Sequence, residues 1–560
     1  MPIMKKTCWG VVAVCAVAAL IAPAVRGQTV LTRIAPVQTT GGLLAGKVLP
    51  SAVKAWLGIP YAKPPVDELR WQPPRPMHWQ GVWNADRKMP ECIQVLRPHD
   101  INNYFGEEAT SENCLFMNIW APPGSHAGSH LPVIVFIYGG GFSIGSSGMA
   151  LYGGEQVAKH GAVFVNFNYR LGILGFMAHP ELTKEQGGHS GNYGFLDQHA
   201  ALEWIRENIA KFGGDPSKVL LMGQSAGARS VSAQIFSPLS RGLFSEAVMS
   251  SGCSWSSSGF MGPEPTLAQA EHVGLKIQGL LHASSLEDMR QISADRILAV
   301  QAEFQVGSNR SGVRTGPIID GYFTPMSELD ILKAHENSDV PIIASSNGDD
   351  LDSNISPLTR ATTVTQYKEI ARRMYGDNAA AFLALYPVSS NAEVRAMAHR
   401  AAEDAGLQGA ARHCTQLQSQ YDKSPAYLDL FTLKNPYVPG VRIADQDTAT
   451  IGAYHVADLA YWFGNLDTYN MFRSTRAWRP WDRELSIDMM QALIAFARTG
   501  SPATQSVRWP AGSAAQERRL VFGEKITVGK LDTKAMDWLA AHPAARIPVP
   551  PARHGAKPYY

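Results

Sequence analysis

The chain has 560 residues, 45% of them apolar and 18% charged, and a formal net charge of +2. This is globular composition with ample material for a large core. The near-neutral balance and the lack of any Lys/Arg run argue against a nucleic-acid binder. At the N-terminus, Lys5 and Lys6 precede an apolar core from Val11 to Ala22, followed by small residues at Ala24 and Gly27. That pattern predicts a secretory signal peptide over 1–27, cut at Gly27–Gln28 or Ala24–Val25. An uncleaved membrane anchor is the alternative, against which Pro23 and the shortness of the apolar core count. No later stretch is long and apolar enough to span a bilayer, so no stable membrane insertion is expected. The mature chain is expected in the periplasm or outside the cell. Cys8 and Cys15 leave with the signal, and Val14 does not fit a lipoprotein cleavage site before Cys15. Four cysteines remain, an even number compatible with disulfides in an exported chain. Cys92 and Cys114 would close a short polar loop. Cys253 and Cys414 pair by elimination only, and the alternative is two buried free thiols.

Residues 133–138 form a continuous apolar run, as expected for a buried central strand. Tyr138-Gly-Gly-Gly-Phe142 follows it. Three glycines let the backbone approach a ligand and present N–H groups, an oxyanion-loop pattern with Tyr in place of the more familiar His. The alternative is an ordinary flexible turn. Residues 162–168 predict another strand. Residues 197–211 carry apolar positions at helical spacing, with Asp197 near the helix start, and Gly213–Pro216 ends that unit. Val219–Gly227 is an apolar run closing in Gly-x-Ser-x-Gly, the sequence form of a nucleophile elbow with Ser225 at its apex. Further strands are expected at 247–251 and 340–344. Residues 264–305 and 363–422 read as mostly helical insertions that could cap the sheet's C-terminal edge. Strands alternating with helices predict an α/β sheet covered on both faces. No repeat or linker divides 28–560, which reads as a single catalytic domain with a loosely ordered Pro-rich tail from Pro548 to Pro558.

A serine hydroxyl is a poor nucleophile near pH 7. It needs a neutral imidazole to accept its proton, a carboxylate to orient that imidazole, and N–H donors for the oxyanion. In folds built on such an elbow the chain order is Ser, acid, His, so both partners should follow Ser225. Gly140, Gly141 and Ala226 are the candidate donors. No HExxH motif or zinc-type Cys/His cluster is present, so no metal or organic cofactor is implied.

Several ordered motifs resemble those of the type-B carboxylesterases, the carboxylesterase/cholinesterase-like branch of the α/β-hydrolases. They are Gly58-Ile-Pro-Tyr-Ala-Lys-Pro-Pro65 with Leu69-Arg70, Ser111-Glu-Asn-Cys-Leu115 with Asn118-Ile-Trp120, Asn168-Tyr-Arg-Leu-Gly172, and Gly191-Asn192 leading to Asp197-Gln198. The resemblance spans nearly the whole mature chain. It implies an α/β-hydrolase fold with a large, mostly parallel sheet, helices on both faces and helical cap insertions. The family's acid lies in a segment like Pro341–Leu351, where Asp350 stands at its usual Glu and Leu351 at its usual Gly. Asp349 and Asp352 are the fallbacks. Gly452-Ala-Tyr-His-Val-Ala-Asp-Leu459 resembles the segment of the catalytic histidine, which implies His455. Ser251 matches a second serine that supports the triad, the alternative being a satisfied strand-end hydroxyl. Arg70 and Glu112 match a buried ion pair, and a Cys92–Cys114 bridge would enclose a loop beside the gorge.

Departures from the family bear on substrate. Residues 93–113 contain no Trp to hold a quaternary ammonium, and Gln224 stands where cholinesterases carry Glu, so a choline-ester role is not expected. Small residues, Ser311 and Val313, fall where the acyl pocket would carry aromatics. Phe142, Gln224 and Trp255 complete the expected pocket. Arg310 and Arg314 flank it and either make its mouth electropositive or point into solvent. The chain therefore reads as a secreted serine carboxylesterase acting on small-molecule esters. The alternatives are a narrow-specificity hydrolase of aromatic or polycarboxylate esters or amides, and a non-catalytic cholinesterase-like binding or adhesion protein.

Overall fold

The computed structural model describes residues 33–95, 109–253, 255, 264–306, 313, 315–350, 356–443, 447–513, 516–531 and 533–545. The leader, the tail, Arg310, Ser311, Arg314 and Asp352 lie outside the described residues.

Among the described residues eleven strands make one sheet. In chain order they are Lys47–Val48 (β1), Lys54–Pro60 (β2), Phe116–Ala121 (β3), Leu131–Ile137 (β4), Val163–Phe167 (β5) and Gly214–Gln224 (β6). Glu246–Ser250 (β7), Ile342–Ser345 (β8), Ala426–Phe431 (β9), Arg518–Phe522 (β10) and Ile526–Lys530 (β11) follow. In space the order is β11-β10-β9-β8-β7-β6-β4-β5-β3-β2-β1. Strands β10 through β5 in that order run parallel, and antiparallel strands close both edges. The parallel strands are apolar because helices cover both their faces: Val133 to Tyr138 are all buried without a break. The order reverses at β4, with β5 on one side and β6 on the other. Such a switch point opens a crevice at the carboxyl ends of the strands, where the glycine loop and Ser225 both emerge.

The helices that fix this end are Tyr193–Asn208 (α1), Ala226–Phe236 (α2) and Pro480–Thr499, all packed on β6. Helix α1 begins four residues before Asp197, which therefore lies in its second turn and not at its start. Its carboxylate accepts Arg170 Nε (2.8 Å), Nη2 (2.7 Å) and backbone N (3.0 Å), with both side chains buried. The expected helical insertions form. Leu267–Leu281, Leu286–Gln291 and Ala294–Val306 lie between β7 and β8. Val364–Tyr375, Ala379–Leu385, Asn391–Ala405 (α3) and Leu407–Tyr421 (α4) lie between β8 and β9.

The Cys92–Cys114 disulfide is present, with a Cα–Cα separation of 4.9 Å, and Cys253 and Cys414, for which free thiols were the alternative, are also bonded, at 6.4 Å. Among the described residues no helix is long and apolar enough to cross a membrane. Arg70 and Glu112 form the expected ion pair, through Nε–Oε2 at 2.8 Å and Nη2–Oε1 at 2.6 Å. Arg70 Nη1 donates to the carbonyls of Arg290 (3.0 Å) and Ile292 (2.6 Å), so one guanidinium ties the N-terminal segment to the first insertion.

Two stability outcomes follow from these buried charges. Glu112→Ala leaves Arg70 facing carbonyls alone and should lower the unfolding free energy by about 3–5 kcal/mol, read as a reduced urea midpoint at unchanged slope. Glu246, at the start of β7, has a different sign. Burial pushes its carboxyl up to about 7, against a weaker opposing hydrogen bond from Ser245. The unfolded chain ionises near pH 4.3, so the folded state holds the proton longer and stability falls as pH rises from about 4 through 7. Glu246→Gln should therefore raise the urea midpoint at pH 8 and leave it nearly unchanged at pH 4.

Candidate active site

Ser225 follows the last residue of β6 and precedes the first of α2, at φ 58° and ψ −124°. This is a conformation that a residue with a Cβ rarely adopts. The tight turn depends on two missing side chains. A Cβ at Gly223 would lie 2.1 Å from the Gly227 carbonyl oxygen, and one at Gly227 would lie 2.0 Å from that of Ile137. The turn is anchored by Ser225 N–H donating to the Ser250 carbonyl at 2.8 Å. The Ser225 side chain thus stands at the N-terminus of α2, where unpaired N–H groups favour negative charge.

The glycine loop after β4 lies against this turn. A Cβ at Gly139 would be 2.8 Å from Ser225 Cβ. Gly140 and Gly141 have φ of 117° and 61°, and Phe142 also has positive φ at 61°. Among the described residues none accepts a hydrogen bond from the backbone N–H of Gly140, Gly141 or Ala226. Tyr138 is fully buried and stacks on Tyr169 at 4.6 Å, and Tyr169 Oη donates to the Tyr138 carbonyl at 2.9 Å. The tyrosine in place of the more familiar histidine braces the end of β4 on the segment after β5.

Beyond β8, Asp350 is inaccessible to solvent. His455 Nδ1–H donates to its Oδ1 at 2.5 Å, while Ser251 Oγ (2.6 Å) and Asn347 N–H (3.1 Å) donate to its Oδ2. Burial alone would push this carboxyl up. The His455 ring and the three hydrogen bonds outweigh it and hold the carboxyl below its ordinary value. Asp349 turns the other way, toward the backbone of Ala453 and toward His399. With Nδ1–H given to Asp350, His455 Nε2 carries the lone pair. The Gln224 amide nitrogen lies 3.0 Å from it. Ser225 and His455 share no direct hydrogen bond among the described residues, and catalytic hydrogen bonds are commonly loose in an empty site.

Of the remaining candidates, Phe142 is buried in an aromatic cluster with Phe176 and Phe195, at centroid distances of 5.1 and 5.8 Å. Trp255 is buried edge-on against Phe236 and donates Nε1–H to Ser232. Val313 is also buried. The structure adds residues that sequence reasoning missed. Asp458, three residues after His455, accepts from Ser250 Oγ (2.9 Å), Asn347 Nδ2 (3.0 Å) and Trp462 Nε1 (3.2 Å). Burial, and more weakly the charge of Asp350, push the Asp458 carboxyl up. The one available signal is an acid inside the run 456–463, which is otherwise apolar. No group of three or more His, Cys, Asp or Glu side chains that could hold a metal ion is present among the described residues.

The Carboxylesterase family profile matches residues 34–538. Fumonisin B1 esterase of Sphingopyxis macrogoltabida is 34% identical over 491 residues, 85% of each chain. Para-nitrobenzyl esterase of Bacillus subtilis (strain 168) is 31% identical over 497 residues, 85% of this chain and 93% of that one. A solved structure of a PNB esterase superimposes with a TM-score of 0.74 at 29% identity, covering 91% of this chain and 99% of that one. A thermophylic PNB esterase structure gives 0.72 at the same identity, covering 90% and 99%. Sequence and fold together make this chain a member of the carboxylesterase family, a carboxylic ester hydrolase built on the α/β-hydrolase fold.

Proposed function

We propose that the chain hydrolyses carboxylic esters through an acyl-enzyme, with Ser225, His455 and Asp350 as its triad. The observation that carries this reading is the 2.5 Å contact of His455 Nδ1 with the fully buried Asp350, which leaves the lone pair on Nε2, the nitrogen that faces Gln224 directly before Ser225. Ser225 Oγ attacks the ester carbonyl as Nε2 takes its proton. The carbonyl oxygen becomes an oxyanion, received by the N–H groups of Gly140, Gly141 and Ala226. The alkoxide leaves with the proton from Nε2, and the acyl group stays on Oγ. Water then attacks the acyl carbon while giving a proton to Nε2, and collapse returns that proton to Oγ as the acid departs. Asp350 stays ionised, holds the tautomer and stabilises the imidazolium. Ser251 keeps the second carboxylate oxygen aimed. Export through the 1–27 leader and a single catalytic unit over 28–560 accord with the two disulfides and with the 34–538 match.

Nitrophenyl esters of rising acyl length, an aromatic ester and an anilide make a direct test. Ser225→Ala should lower kcat by about 10⁶ on every hydrolysed substrate, and Asp350→Asn by about 10⁴. Wild-type rates equal to those of Ser225→Ala throughout the panel would sink the proposal.

A further inference from the structure

The acid loop and the histidine loop meet at one residue pair outside the triad. Asp349 N–H donates to the Ala453 carbonyl at 2.9 Å, and Ala453 N–H donates back to Asp349 Oδ2 at 3.1 Å. Through these bonds the two segments form an isolated parallel bridge that pairs Asp349 with Tyr454, one residue from Asp350 and one from His455. The space for the carboxylate is provided by a glycine. A Cβ at Gly452 would lie 1.9 Å from Asp349 Oδ2 and 2.7 Å from its Cγ. Gly452 does not have positive φ, so what a side chain there would meet is the Asp349 carboxylate and not a backbone restriction. The histidine segment also needs an external hold. Val456, the next residue after His455, has φ of 69°, a costly conformation for a β-branched residue. On its outer side Asp349 is part-exposed. Its Oδ1 lies 3.7 Å from His399 Nδ1, and both residues line a cavity of about 530 Å³ together with Arg395 and Glu403 of α3. Burial therefore does not explain the carboxylate, whereas the N–H of Ala453 does.

We propose that Asp349 is a positioning residue. It clamps both polar groups of Ala453, sets the separation of acid from base, and has Gly452 as its obligatory partner. This rests on the reading of Asp350 and His455 as acid and base. Misplacement of a catalytic group by about 1 Å costs on the order of a hundredfold in rate. Asp349→Ala should therefore lower kcat by about ten- to a hundredfold on a nitrophenyl ester, with KM within about twofold. Asp349→Asn keeps an oxygen that can accept the Ala453 N–H and should retain most of kcat. Gly452→Ala displaces the carboxylate and should match Asp349→Ala. The double variant should be no slower than either alone, because both remove the same contact. His399→Ala, which removes the outer neighbour and leaves the clamp, should stay near wild type. The Nδ1–H proton of the Asp350–His455 contact, seen far downfield by NMR, should weaken or shift in Asp349→Ala and not in Asp349→Asn. Wild-type kcat in Asp349→Ala, equal losses in Asp349→Asn and Asp349→Ala, multiplying losses in the double variant, or a loss in His399→Ala would each overturn the proposal. If Ser225→Ala equals wild type, the triad reading falls instead, and the downfield proton still tests the clamp.

Discussion

A carboxylate taken out of water costs several kcal/mol unless its lone pairs are filled and a group able to carry positive charge faces it. Asp350 meets that condition with partners from three other places: the histidine loop, the residue after β7 and the backbone just beyond β8. None is a near neighbour of the other two in sequence. The parallel sheet brings their carriers to one edge in fixed register, since Ser250 at the end of β7 is aligned with both Gln224 of β6 and Ser345 of β8. The sheet is therefore the means by which one buried charge is satisfied, and the site inherits its geometry from strand order.

Backbone strain recurs at the same edge. Phe142, Ser225, Ser251 and Val456 all have positive φ without being glycine. Each stands where a strand or loop must turn sharply to present a group, and the core around them supplies the restraint. Ser251 illustrates the economy of this arrangement. Its N–H donates to the Ser345 carbonyl at the end of β8 while its hydroxyl donates to Asp350 in the loop beyond, so one residue is tied both to the neighbouring strand and to the acid that follows it.

The central strand and the elbow are legible in sequence for a local reason. A strand with helices on both faces must be apolar without alternation, as Leu131–Ile137 is, and a turn that tight must have glycines on either side of the serine. What stays hidden is long-range. Ala426–Phe431 carries Asp429 inside an otherwise apolar run, and only its pairing with β8 supplies the Ser345 hydroxyl that this carboxyl accepts. The contacts that bring Asn347 and Asp458 to the site are long-range, since the two bond each other across 111 residues and Asp458 bonds Ser250 across 208. Composition cannot separate Asp349 from Asp350. The family resemblance points to Asp350, and a physical reason accompanies it: successive side chains of extended backbone face opposite ways, so the bridge to Ala453 turns one carboxylate outward as it turns the next toward the ring.

The insertions between β7 and β8 and between β8 and β9 leave and re-enter the sheet on either side of β8. Their helices can change length, packing or surface while the strand ends they join remain in register. The insertions are thus the part of the chain in which a change of outline need not disturb the strand ends that carry Ser225, Asp350 and His455.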